Sequence, residues 1–302
     1  MSGEFSASRS GERAGARVLT MATNPIKRGI LREMLDRPLR MGPGHEFQIT
    51  PGGREMLFIA FVAERWLQSC PRGPVLFDGE EAEVAVAALV EGWSSTVVHA
   101  LANEPLTLSE LDRAIEGLNR RALKRHLLAM QSVGQVETRP KKGNDTLYAV
   151  TNWLRAGIAP LTAAARLEHR KPVDDMTPIA NLDVEAAFLL TLPLLELPTA
   201  LSGSCRLGVE VHDGEHSSLA GVTAVVEDGR VASCAVGLED EVDAWATAQA
   251  GDWLDTVIEP DARRVRTGGD RYLARALLSE LHAKLFGIPV GLRGQGTSGF
   301  PK

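Results

Sequence analysis

Through the middle of the chain, apolar residues recur at helical spacing. Val86, Leu89, Val90, Trp93, Val97 and Leu101 fall three or four apart and share one stripe. This spacing predicts one continuous amphipathic helix ending near Asn103, ahead of Pro105. Thr107 stands three residues before Glu110, the capping-box spacing that satisfies free amides at a helix start. It opens a short helix from Leu108 to Ile115, which stops at Gly117. Asn119 is the expected cap of a helix from Arg120 to about Ser132, and Gly134 ends it. Leu123, Leu127 and Met130 lie on one side of that helix, with Arg121 and Arg125 opposite and Arg120 and Lys124 on the flank. Gln135–Arg139 and Thr146–Val150 then predict a β-hairpin with Lys141 and Lys142 at its tip. Asn152 is expected to cap a last helix running to about His169, kinked at Pro160.

Beyond residue 171 the pattern changes. Val184–Leu192 reads as a helix, and Cys205–Val211, Ala220–Glu227, Val231–Gly237 and Ala244–Ala248 read as strands. The turns at His212–Gly214 and Asp228–Gly229 suit antiparallel hairpins. A short helix over Ala250–Val257 and a closing helix over Arg271–Phe286, capped by Asp270, complete an α+β unit with an antiparallel sheet.

The segment before residue 82 resembles a shortened copy of residues 82–171. Val18 to Leu39 parallels Ala88 to Leu106, and Glu46–Thr50 with Phe58–Trp66 parallels Leu147–Thr151 and its helix. Leu39 and Phe47 are 8 positions apart, whereas Leu106 and Tyr148 are 42 apart. The copy therefore lacks the short helix, the basic helix and one strand. It reads either as a scaffold packed on the intact copy or as an unrelated helical segment. The expected organisation is an arm (1–16), the degenerate copy (17–81), a winged helix-turn-helix (82–171), an α+β unit (172–287) and a tail (288–302).

Charge sharpens this division. The chain of 302 residues carries a net −6 overall. Residues 172–302 hold 10 basic and 20 acidic side chains, while 82–171 hold 12 and 9. Positions 113–142 alone have eight Lys or Arg against Glu116 and Glu137. Such a local excess is the electrostatic footprint that a phosphate backbone requires.

Other chemistry is sparse. Cys70, Cys205 and Cys234 share no metal-ligand spacing and read as free thiols. His212 and His216 lie in a turn, where their spacing does not bring two rings to one helix face. With Asp213, Ser217 and Ser218 they make a polar hairpin tip, so no enzyme activity and no cofactor is expected. No apolar run approaches the roughly 18 residues of a membrane span, and no secretory signal is legible, so a cytoplasmic protein is expected.

Residues 91–155 resemble the HxlR-type winged-helix regulators. The shared features are Trp93, the P-L-x-x-x-E-L run at Pro105–Leu111, and G-x-V-E-x-R at Gly134–Arg139. The family's closing motif appears, slightly altered, as Tyr148–Ile158. The resemblance implies a homodimer joined through first and last helices and bound to double-stranded DNA at a two-fold operator. Downstream, V-E-D-G-R-V at Val226–Val231, Asp243–Thr247, Asp252–Leu254 and G-G-D-x-x-L-A at Gly268–Ala274 are similar to sterol-carrier-protein-like domains. That similarity implies an apolar small-molecule effector, with Trp245, Trp253, Leu254 and Leu277 lining its cavity.

These readings converge on a transcriptional repressor. Arg120, Arg121, Lys124, Arg125, Lys141 and Lys142 would touch DNA. Two alternatives stay open: a protein-interaction module, and a lipid-binding protein whose winged helix does not read DNA.

Overall fold

A computed structural model of the chain describes residues 39–41, 47–49, 51–141, 145–170, 179–213, 216–260 and 263–287. The expected arm, the tail, and the start of the first copy up to residue 38 lie outside these residues.

Strands β1 (Leu39–Met41) and β2 (Phe47–Ile49) form an antiparallel hairpin ahead of α1 (Pro51–Gln68). Ile59, Val62, Ala63, Trp66 and Leu67 give α1 a buried stripe at helical spacing. Next comes α2 (Glu80–Ser94), whose first turn carries Glu80, Glu81 and Glu83, charges that suit a helix N-terminus. The expected continuous helix is in fact two, because α3 (Val97–Asn103) leaves α2 at 78°. Ser95 and Thr96 break it. Both hydroxyls bond to nearby carbonyls, and Thr96 adopts a left-handed φ of 62°. Val97 and Leu101 stay buried on the far side of the bend, so the apolar stripe conceals it.

Local signals set the next elements. The Thr107–Glu110 capping box joins β3 (Leu106–Thr107) to α4 (Leu108–Ala114), with both of its hydrogen bonds made. Gly117 takes a positive φ in the tight connection. Asn119 accepts from the Ala122 N–H at 2.8 Å to start α5 (Arg120–Val133), and Gly134 ends it in the left-handed region. Strands β4 (Val136–Pro140) and β5 (Thr146–Val150) pair as expected, and β3 adds to β5 in a sheet ordered β3-β5-β4. The last helix starts one residue earlier than expected in its capping. Thr151, not Asn152, accepts from the Leu154 N–H. That helix is split at Gly157 into α6 (Asn152–Ala156) and α7 (Ile158–His169), three residues ahead of Pro160, which has no N–H to offer the Ala156 carbonyl.

The remaining chain forms α8 (Asn181–Thr191), a 3-10 turn (Leu192–Leu194), β6 (Gly203–Asp213), β7 (His216–Glu227), β8 (Arg230–Val236) and β9 (Ala244–Gln249). It closes with α9 (Ala250–Ile258), β10 (Arg266–Gly269) and α10 (Arg271–Phe286). The fold is mixed α and β, with sheet order β10-β9-β6-β7-β8. The expected antiparallel pairing holds except at β6 and β9, which run parallel. The link from β8 crosses over to the far side of β6, and a local sequence pattern does not encode that choice of partner. Strand β10 has no sequence signal, since Arg266-Thr-Gly-Gly269 lacks apolar alternation. Gly268 pairs with Trp245, and a Cβ there would overlap the indole ring. Asp270 caps α10 as expected, accepting from the Tyr272 and Leu273 N–H groups.

Helices α1 and α7 pack in opposite directions. Trp66 meets Trp153 near one end, and Glu55 meets Arg166 near the other. The tryptophan rings stack at 4.9 Å and 14°. Arg166 is buried, ion-paired to Glu55 at 2.8 Å and Glu259 at 2.9 Å, and lies over the Phe58 ring. One apolar core runs from α1 to α10. No single helix among the described residues is long and apolar enough to cross a membrane. The three cysteines are free; burial pushes the Cys205 and Cys234 thiols up to about 12.

Candidate nucleic-acid interface and adjoining cavity

Helix α5 buries Leu123, His126, Leu127 and Met130 against its neighbours and leaves Arg120, Arg121, Lys124 and Arg125 exposed. Its position is fixed by close contact. At Gly92 of α2 an added Cβ would lie 2.8 Å from Met130 Sδ, so a larger residue there would make the Met130 thioether shift. At the C-terminal end, the Arg72 guanidinium donates to the Ser132 and Gln131 carbonyls, which suits the negative pole of the helix.

The opposite end breaks the same rule. Arg120 and Arg121 occupy the first turn, which contains no acidic residue. Cations there oppose the helix dipole by about 0.3–1 kcal/mol each, and the like-charged pairs Arg120/Lys124 and Arg121/Arg125 add a few tenths more. None of the four forms an ion pair among the described residues. Four exposed cations thus surround a helix N-terminus whose amides also attract anions.

The hairpin lysines fare differently. Lys141 Nζ sits 3.0 Å from Glu110 Oε1, tying the β4–β5 hairpin to the capped start of α4. Glu110 also accepts from the Thr107 N–H at 2.7 Å. That backbone bond, then the Lys141 ammonium, holds its carboxyl down to about 2. Lys141 would have to leave Glu110 to meet a phosphate. Lys142 lies outside the described residues.

The four residues expected to line an apolar cavity separate. Trp253 and Leu254 border a cavity between α2, α7, α8, α9 and α10 that holds about 790 Å3 of space, part of it continuous with solvent. Trp93, Phe188 and Ile158 also line it. Trp245 lies instead over Gly268 on the sheet, and Leu277 is buried in the core. The Trp253 N–H donates to the Gly208 carbonyl at 2.6 Å, which leaves its ring facing Phe188 edge-on at 5.3 Å. Sequence reasoning missed Trp93 as a wall residue, because its stripe places it in a core and the helices it faces come from far along the chain. His99, just beyond the bend after Ser94, packs against Trp93 at 4.2 Å with the rings tilted by 47°, and contacts Asp183 Oδ1 at 2.9 Å. Set against protein-family models and against curated proteins, the chain matches none.

Proposed function

We propose that the chain is a DNA-binding transcriptional repressor of the cytoplasm, in which residues 82–171 act as a winged helix-turn-helix and the C-terminal part senses an apolar small molecule. The observation that carries this reading is the N-terminal half of α5. There, four exposed cations without ion-pair partners among the described residues sit on a helix packed against α2 at Gly92 and bonded at its C-terminus by Arg72. A major groove about 12 Å wide admits such a helix, and the β4–β5 hairpin would flank it. Arg120, Arg121, Lys124 and Arg125 would read bases and phosphates. Lys141 and Lys142 would add phosphate contacts.

The order β1–β2 then α1 matches β3–β5 then α6–α7, and each final segment spans 18 residues, split only in the second case. This supports the shortened-copy reading. It also bears on assembly, because α1 covers the α7 face through which the resemblance would dimerise. A homodimer on a two-fold operator would therefore join through another surface. The test is selection of genomic DNA fragments by the full chain at moderate salt. Enrichment of discrete fragments, with affinity falling steeply as salt rises, is expected. Absence of enrichment, or a flat salt response, would overturn the reading.

A further inference from the structure

The cavity beside Trp253 belongs to neither part of the chain alone. Trp93 enters it from α2, and Ile158 and Leu161 from α7, while Phe188, Trp253 and Leu281 close it from α8, α9 and α10. Its space of about 790 Å3 lies in the ordinary range of small-molecule sites, about 300–1,000 Å3. The polar groups on the wall are engaged within the protein. Asp183, the one ionisable side chain of the lining among the described residues, is bonded to His99 Nε2 at 2.9 Å and to the Ala180 N–H at 3.2 Å. The Thr191 hydroxyl donates to the Ala187 carbonyl, and the Trp253 N–H to the Gly208 carbonyl.

A cation or an anion placed here would lose its hydration and find no free counter-charge on the wall. An uncharged ring compound loses little, and it meets the aromatic surfaces of Trp93, Phe188 and Trp253. Trp93 also links the cavity to the basic helix. The residue before it, Gly92, faces the Met130 thioether of α5, where an added Cβ would fall 2.8 Å from Sδ and 3.0 Å from Cε. Met130 is fully buried and does not line the cavity. Asp183 reaches the other side of the α2–α3 bend through His99. A closely packed interior passes displacement on instead of absorbing it. We infer that the cavity binds an uncharged aromatic compound, and that its occupancy acts on α5 where Gly92 meets Met130. The inference rests on the reading that the chain senses an apolar small molecule, and it gives that ligand's charge and its route to the basic helix.

The full chain, labelled at its methionine methyl groups, is titrated with naphthalenemethanol, its saturated decalin counterpart, naphthylmethylamine and naphthoate. Calorimetry reads binding and methyl NMR reads Met130, whose signal Met130→Leu assigns. No DNA is present, so the result does not depend on whether the chain reads DNA. Naphthalenemethanol is expected to bind at least about tenfold tighter than the other three and to move the Met130 signal. Ala165→Phe, which fills the cavity from its half-exposed rim, should weaken the binding and abolish the movement. If that variant does not fold, the order of the four probes and the Met130 signal of the unaltered chain decide the matter. Either ion, or the decalin compound, binding as tightly as naphthalenemethanol would overturn the ligand class and leave an apolar sensor standing. Binding that leaves the Met130 signal in place would overturn the action on α5. Failure of all four probes to bind would overturn the inference and the sensor reading together.

Discussion

Trp66 and Trp153 hold each other reciprocally: each indole N–H donates to the other's backbone carbonyl, at 2.8 and 2.9 Å. Both tryptophans are buried. The pair fastens the end of α1 to the start of α6, and Arg166 with Glu55 fastens the other end of the same helix packing. The segment before residue 82 is thereby part of the structural support beneath α5, which Arg72 extends to the helix C-terminus.

Replacing either tryptophan by phenylalanine keeps one aromatic ring but removes the pyrrole half of the indole together with one donor. Trp66→Phe and Trp153→Phe should each cost about 1–3 kcal/mol, from one lost hydrogen bond and the void left by the smaller ring. The carbonyls themselves keep a second donor, Ser69 at Trp66 and the Gly157 N–H at Trp153. Because the rings also stack, the double variant should cost less than the two together by about 1 kcal/mol. Urea unfolding of the four proteins measures this. Strictly additive losses would show that the two bonds act independently.

Thr96 carries backbone strain at the α2–α3 bend. A β-branched residue in the left-handed region costs roughly 1–2 kcal/mol, and glycine returns part of that through its more flexible unfolded chain. Thr96→Gly should therefore raise stability by about 0.5–1 kcal/mol, read as a higher thermal midpoint. A lower midpoint would mean that the Thr96 hydroxyl bond to Ser95 outweighs the strain.

Much of this architecture was legible because its signals are local. The Thr107–Glu110 box, the Asn119 and Asp270 caps and the Gly134 terminus each need only neighbours within a turn, and all form as read. What escaped is set at long range. The bend at Thr96 hides beneath an apolar stripe that is buried on both sides of it. The parallel pairing of β6 with β9 depends on where a crossover lands. The cavity wall draws Trp93 and Trp253 from positions 160 apart, so Trp253 and Leu254 could be named from the sequence, but not the partners they face.

Glu110 gives a pH signature. A carboxylate held low in the folded state stabilises the fold above its unfolded value, and that contribution is lost as pH falls through the folded value. Here the window runs from the ordinary 4.5 down to about 2. Glu110→Gln should flatten the acid side of the stability profile across that window, measured as unfolding midpoint against pH. An unchanged acid limb would show that other carboxylates dominate. The same change frees Lys141, so DNA affinity should rise a few-fold under the proposed function.

The basic start of α5 is the central claim, and one comparison tests it most directly. A selected genomic fragment is titrated with wild-type chain and with Arg121→Ala/Arg125→Ala, with circular dichroism verifying that the exposed double change leaves the fold intact. Two lost contacts to base edges or phosphates should weaken binding at least about a hundredfold and lower its dependence on salt. Equal affinity and an equal salt slope in the double variant would contradict the assignment of α5 as the element that reads DNA.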